Sequence, residues 1–105
     1  MAGDNITYLK EQVALLPFLP GVYQFVNRDG TVIYVGKAKS LRKRVSSYFL
    51  ESKDHPPKIR VLVKNIAEIR HIVVSSEGDA LLLENNLIKT LQPRYNSMLK
   101  DDKTY

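Results

Sequence analysis

The sequence predicts a small α/β domain of the α+β kind: a three-stranded antiparallel sheet flanked by helices, in the order α-β-β-α-α-β-α. Three observations predict it. Asp29-Gly30 separates two strand-like runs and is a strong hairpin signal, which makes those strands antiparallel. A third run, Ile69 to Ser75, is rich in β-branched residues. Four other segments carry apolar residues at helical spacing.

Each element can be read in turn. Ile6, Leu9, Val13 and Leu16 mark a helix from Asp4 to Leu16, with Asp4 or Asn5 as cap and Pro17 as stop. Pro20-Gly21 opens a strand over Val22 to Asn27, and Thr31 to Gly36 forms the second. Ser40 is placed to cap a helix running to about Leu50. A polar loop, Glu51 to Pro57, leads to a helix over Lys58 to Ile66. The third strand follows at Ile69. Ser76 and Asp79 resemble a capping box for a last helix to about Leu91, ended by Pro93. The tail from Arg94 to Tyr105 reads as irregular. A length of 105 residues fits one domain, with its core at about 16–96, and the expectation is that it forms the N-terminal part of a longer multidomain protein.

Composition narrows the function. There is no cysteine, which excludes disulfides, thiolate zinc sites and cysteine nucleophiles and fits a reducing cytoplasm. No stretch is apolar enough to cross a membrane, and the N-terminus lacks signal-peptide order. No Walker-type or dinucleotide glycine loop is present, so no small-molecule cofactor is expected. The net charge is +5, and Gly30 to Leu50 holds Lys37, Lys39, Arg42, Lys43 and Arg44 without one acidic residue. Such a local field suits a polyanion, and Gly36 with these five cations forms the candidate DNA-binding set.

Side chains along a strand alternate faces, so Tyr23 and Phe25 share one face of the first strand, and Tyr34 and Gly36 share one face of the second. A two-residue turn sets Tyr23 opposite Gly36; a four-residue turn sets it opposite Tyr34. Both registers bring the two tyrosines to one side of the sheet, either as core packing or as a site. A glycine ending a strand permits close approach of a backbone or ligand. On the helix after Ser40, Leu41, Val45, Tyr48 and Phe49 form the apolar stripe, and Arg44 lies at its edge, four residues before Tyr48. On the last helix Ala80, Leu81, Leu83, Leu87, Ile88 and Leu91 gather on one side with Glu84 among them, and no second carboxylate is read on that face. A carboxylate there is costly unless paired or bound to metal. It is either an internal ion pair with Arg44, Lys37 or Arg70, or a hard-cation ligand of the kind Mg²⁺ takes in phosphate chemistry. His55 and His71 match no metal spacing and read as structural.

Gly21-Val22-Tyr23 and Tyr34-Val35-Gly36, followed by Arg44, Glu84 and the Asn96 of Pro93-Arg94-Tyr95-Asn96, resemble the GIY-YIG nuclease family over roughly Leu16 to Asn96. Thr31-Val32-Ile33-Tyr34-Val35-Gly36-Lys37-Ala38-Lys39 and Asn86-Leu87-Ile88-Lys89 look like its branch in bacterial nucleotide excision repair. That resemblance implies a GIY-YIG fold and a divalent-metal-dependent endonuclease that cuts one strand on the 3′ side of a lesion. It implies catalytic roles for Tyr23, Tyr34, Lys37, Arg44, Tyr48, Glu84 and Asn96, with one Mg²⁺ or Mn²⁺ on Glu84. Tyr34 would be the general base and Tyr23 its partner, a choice the residues alone leave open. A tyrosine base at neutral pH needs a depressed pKa, which Lys37 and Arg44 could supply. Arg44 would stabilise charge on the phosphate, Tyr48 would bond a phosphate oxygen and Asn96 would orient the site. The implied partners are damaged double-stranded DNA and a second repair protein that presents it, bound through a segment outside this chain. The competing readings are a non-catalytic nucleic-acid-binding module and another nuclease of the family, of homing or restriction type.

Overall fold

The computed structural model describes the backbone over residues 2–50 and 55–100, and side chains over 7–50 and 55–97. Its elements are α1 (Ala2–Ala14), β1 (Gly21–Val26), β2 (Val32–Ala38), α2 (Leu41–Tyr48), α3 (Pro57–Lys64), β3 (Glu68–Val73), α4 (Glu77–Leu91) and α5 (Arg94–Lys100). The expected order is present with one correction: the tail read as irregular begins with α5. A run of seven residues after a proline is too short to show helical periodicity in sequence. The expected loop at Glu51 to Pro57 lies in part outside the described residues.

The three strands form one antiparallel sheet in the order β2-β1-β3, so the first strand is central. The hairpin turn is neither of the two anticipated. The Asn27 carbonyl accepts from Gly30 N–H at 3.0 Å, the Asn27 N–H donates to the Thr31 carbonyl at 2.9 Å, and Gly30 takes φ +82°. Arg28 and Asp29 are therefore the turn centre and Gly30 the left-handed third residue, the usual three-residue hairpin loop. The Asn27 side chain locks it, accepting from the N–H groups of Asp29 and Thr31 at 3.0 Å each. Val26 pairs with Val32 but Phe25 pairs with Tyr34, so Ile33 is the extra residue of a bulge. The bulge restores the pairing of Tyr23 with Gly36 that a two-residue turn would have given.

The sheet separates two unequal cores. On one face Tyr23, Phe25, Ile33, Tyr34 and Ile69 meet Leu9 and Val13 of α1, Leu41, Val45 and Tyr48 of α2, and Leu62, Ile66 and Tyr95. On the other, Val22 and Val35 meet Ala80, with Leu83, Leu87 and Ile88 packed around them. Full burial of a large apolar side chain is worth about 1.5–3 kcal/mol, so the aromatic face carries most of the hydrophobic stabilisation. Two stripe positions are corrected here: Leu81 and Leu91 of α4 are exposed. The helix packs mainly on β2 and to a lesser extent on β1, so its contact stripe is narrower than its sequence stripe.

Capping also differs from expectation. Ser76 does cap α4, its Oγ accepting from Asp79 N–H at 3.2 Å. Ser40 stands at the N-cap of α2 but makes no side-chain cap bond. The first N–H groups of α2 instead donate to the chain before β1, Leu41 to the Leu19 carbonyl at 2.9 Å and Arg42 to that of Pro17 at 3.1 Å. That satisfies donors otherwise left open at a helix start. Asp4 and Asn5 fall inside the first turn of α1, which begins at Ala2.

Candidate active site

The site is built at the β2 edge, where α2 on one face and α4 on the other come within reach of the same strand end. Tyr23 and Tyr34 project from paired strands to the aromatic face, and Tyr48 comes down on them from α2. Their rings and that of Phe25 form a continuous cluster with centroid separations from 5.2 to 6.4 Å. Tyr23 and Tyr48 share a hydroxyl hydrogen bond of 2.8 Å. Tyr23 is 1% exposed, against 9% for Tyr34. Tyr34 is thus the less buried tyrosine of the strand pair.

Gly36 explains how Tyr23 is buried so completely. A Cβ at Gly36 would lie 2.3 Å from the Tyr23 hydroxyl oxygen, far inside contact distance. The open space that the sequence offered to a ligand is filled by the phenol across the strand.

Asn96 acts on the backbone. Its Oδ1 accepts from Val35 N–H and its Nδ2 donates to the Val35 carbonyl, both at 2.8 Å. The single side chain closes a two-point clamp on the outer edge of β2, between Tyr34 and Gly36. Its hydrogen-bonding groups face the strand rather than a substrate.

Arg44 lines the open side of the cluster. Its guanidinium lies 5.7 Å from the Tyr48 ring centre, within cation–π range, and it exerts charge and hydrogen-bonding influence on Tyr23. The electrostatics correct one expectation. Burial pushes the Tyr23 hydroxyl up to about 12, the Tyr34 charge adds to this, and bonding to Tyr48 and the nearby Arg44 only partly offset it. Burial likewise raises Tyr34 and Tyr48, with Arg44 opposing in each case. All three clustered hydroxyls are raised rather than depressed, because desolvation of the packed rings outweighs one partly exposed guanidinium.

Glu84 is half-buried on α4, four residues after the fully packed Ala80. Its charge acts on Tyr34, raising that hydroxyl further. The ion pairs among the described residues are Lys39–Glu77 and Arg70–Glu68, so neither Arg44, Lys37 nor Arg70 neutralises Glu84. A half-buried carboxylate without a protein cation paired to it is a donor that fits a hard divalent ion. No group of three or more His, Asp or Glu that could hold a metal forms among the described residues.

A cleft of about 540 Å³ opens beside Arg44, lined by Lys37, Ala38, Lys39, Ser40, Lys43, Ser47, Glu77 and Ala80 as well. Four of the five expected DNA-binding cations meet there. The fifth, Arg42, is placed elsewhere: its Nε donates to the Leu16 carbonyl at 2.8 Å and its guanidinium stacks 4.4 Å from the Phe18 ring centre. It fastens α2 to the α1–β1 connection. Sequence reasoning missed Glu77, Ser40 and Ser47 as cleft residues. Glu77 is seven residues before Glu84, two helical turns on the same side, and the spacing could have shown it. The Ser40 Oγ is buried without a hydrogen-bond partner and no sequence signal marks that.

A tyrosine cluster, a strand-edge asparagine clamp, an arginine and a lone carboxylate on this sheet define a GIY-YIG-type domain. The chain belongs to the UvrC-like GIY-YIG domain family, whose profile matches residues 19–97. Its relatives are UvrABC system protein C of Bacteroides thetaiotaomicron, 68% identical over 99 residues, and of Flavobacterium psychrophilum, 62% identical over 101 residues. Those alignments cover 93% and 96% of this chain but 16% and 17% of the relatives, so the chain spans about a sixth of their length. In structure it is similar to the GIY-YIG N-terminal endonuclease domain of UvrC from Thermotoga maritima bound to its catalytic magnesium. That match has a TM-score of 0.75 at 39% identity and covers 84% of this chain and 94% of the other. Variants of the same domain, with tyrosine changed to phenylalanine or asparagine to alanine, also hold the divalent cation.

Proposed function

We propose that this chain is the endonuclease domain of a UvrC protein and makes the incision 3′ of a lesion in nucleotide excision repair. Its substrate would be damaged double-stranded DNA presented in a complex with UvrB, which would bind a part of the protein outside this chain. The single observation that carries the reading is Glu84. It is a half-buried carboxylate without an ion-pair partner among the described residues, its charge acting on Tyr34, on the helix whose Glu77 and Ala80 line the lysine-bearing cleft.

Glu84 would hold one Mg²⁺ or Mn²⁺. Bound there, the cation supplies positive charge that neutralises the phosphate and stabilises the leaving 3′ oxygen. The chain's own residues do the rest. Lys37, Lys39 and Lys43 draw the backbone of the strand into the cleft. Arg44 stands between cleft and tyrosines, placed to meet charge developing on the phosphoryl oxygens. Tyr34 holds the attacking water and takes its proton as the phenolate. Burial disfavours that form in the free domain, so the base is generated only when positive charge gathers in the site. Tyr48 presents its hydroxyl to a phosphate oxygen, held in place by the bond to Tyr23. Asn96 fixes the strand that carries Tyr34.

The test is nicking of a lesion-bearing duplex, labelled on the damaged strand, with the partner repair proteins and the full-length protein. A cut 3′ of the lesion that needs Mg²⁺ or Mn²⁺ and disappears with EDTA is the expected result. Glu84→Gln should lower the rate by about 10³-fold or more, since several kcal/mol of charge stabilisation are lost. Normal cutting by Glu84→Gln would overturn the metal assignment. Duplex binding without any cut would favour a non-catalytic binding module.

A further inference from the structure

We propose that Glu77 is an internal stand-in for a DNA phosphate, a carboxylate that a backbone phosphate must displace to enter the cleft. The inference rests on the reading of that cleft as the DNA-binding surface. Four cations line it, and among the described residues Glu77 is its only anionic lining residue. Glu77 reaches from the first turn of α4 across the cleft to Lys39, just beyond the end of β2. The Lys39 Nζ to Glu77 Oε1 distance is 3.7 Å, and the two side chains are 84% and 67% exposed.

Those values describe a pair that is formed but easily opened. An acidic residue is favourable in the first turn of a helix, yet Asp79 already fills that role in α4. The macrodipole therefore does not require a second carboxylate, nor one directed into a cluster of lysines. Opposite Lys39, the carboxylate offers the same charge and oxygen chemistry as a phosphodiester. Its effect is to lower affinity for any duplex that arrives by diffusion. A duplex held in place by a partner protein has a high effective concentration and displaces Glu77 without difficulty. Glu77 is thus a residue that sets how far cutting depends on delivery of the DNA.

The experiment measures binding of an undamaged labelled duplex by fluorescence anisotropy across a salt series. Glu77→Gln should bind about two- to five-fold tighter, the range open to an exposed ion pair. The gain should vanish in the Lys39→Gln background. Asp29→Asn removes the same charge from the hairpin turn, at the opposite end of β2, and should give no such gain. Unchanged or weaker binding by Glu77→Gln would overturn the proposal. So would an equal gain with Lys39 absent, which would reveal only a general charge effect. Lys43→Gln separates the two layers of the argument. If it leaves binding unaltered, the cleft itself is misread. If it weakens binding while Glu77→Gln changes nothing, only the role of Glu77 is lost.

Discussion

The aromatic cluster and the basic cleft meet at Arg44 and are built on opposite principles. In the cluster, Tyr23, Phe25, Tyr34 and Tyr48 are buried and fixed by ring packing and by one internal hydrogen bond. In the cleft, Lys37, Lys39 and Lys43 are exposed and touch little beyond solvent and one loose ion pair. The difference separates two tasks. Chemistry needs hydroxyls fixed to a fraction of an ångström, which close packing provides. Grip on a polyanion needs charge that can adjust to a flexible backbone and let go. Packing energy is insensitive to salt, whereas the cleft's attraction is screened by it.

This contrast can be broken or sharpened by experiment. The largest effect within the cluster should come from Tyr34→Phe, which keeps the ring and removes the less buried hydroxyl. Nicking should fall by about 10²-fold or more with the fold unchanged. Tyr23→Phe removes a buried hydroxyl that bonds only inside the protein. It should cost about 1 kcal/mol of stability and less than a tenfold loss in rate. If Tyr23→Phe abolished cutting and Tyr34→Phe did not, the assignment from exposure would be reversed.

Gly36→Ala tests packing alone. The new methyl would meet the Tyr23 hydroxyl, so Tyr23 or the strand must shift. Thermal or denaturant unfolding should show a loss of about 1–3 kcal/mol, the usual cost of overpacking. A second packing test is alkaline pH. Tyr23 rises from 10.0 to about 12 on folding, so the neutral form is the one the native state prefers. The stability this contributes is fully present below pH 10 and is lost as pH climbs towards about 12. Urea midpoints should thus stay level from neutral pH to about 10 and then fall. A decline beginning below pH 9 would show that these phenols are less buried than described. The smallest effect belongs to the cleft. Lys43→Gln should leave stability untouched, weaken duplex binding, and make the slope of log K against log salt shallower by about 0.9.

Much of this was legible in the sequence because it rests on local rules. Alternation put Tyr23 and Tyr34 on one face, helical spacing put Glu84 beside an apolar stripe, and Ser76 with Asp79 announced α4. The family motifs selected the same residues. Other features depended on distant partners. Arg42 and Arg44 are two residues apart in one basic run, but Arg42 is drawn to the Leu16 carbonyl and Phe18 while Arg44 stays with the tyrosines. Ser40 has the right identity for a cap, yet the connection before β1 supplies the bonds instead.

By itself the sequence determined the element order up to α4, the antiparallel hairpin and the set of residues that gather at the β2 edge. Each follows from periodicity or turn chemistry within a few neighbouring residues. The tertiary structure alone decided that Gly36 makes room for a phenol, that Asn96 clamps Val35, and that Glu77 closes on Lys39. It also decided the direction in which the Tyr23, Tyr34 and Tyr48 hydroxyls shift. Whether Arg44 or burial prevails depends on how many rings pack together, and packing density is a property of the assembled core rather than of any segment.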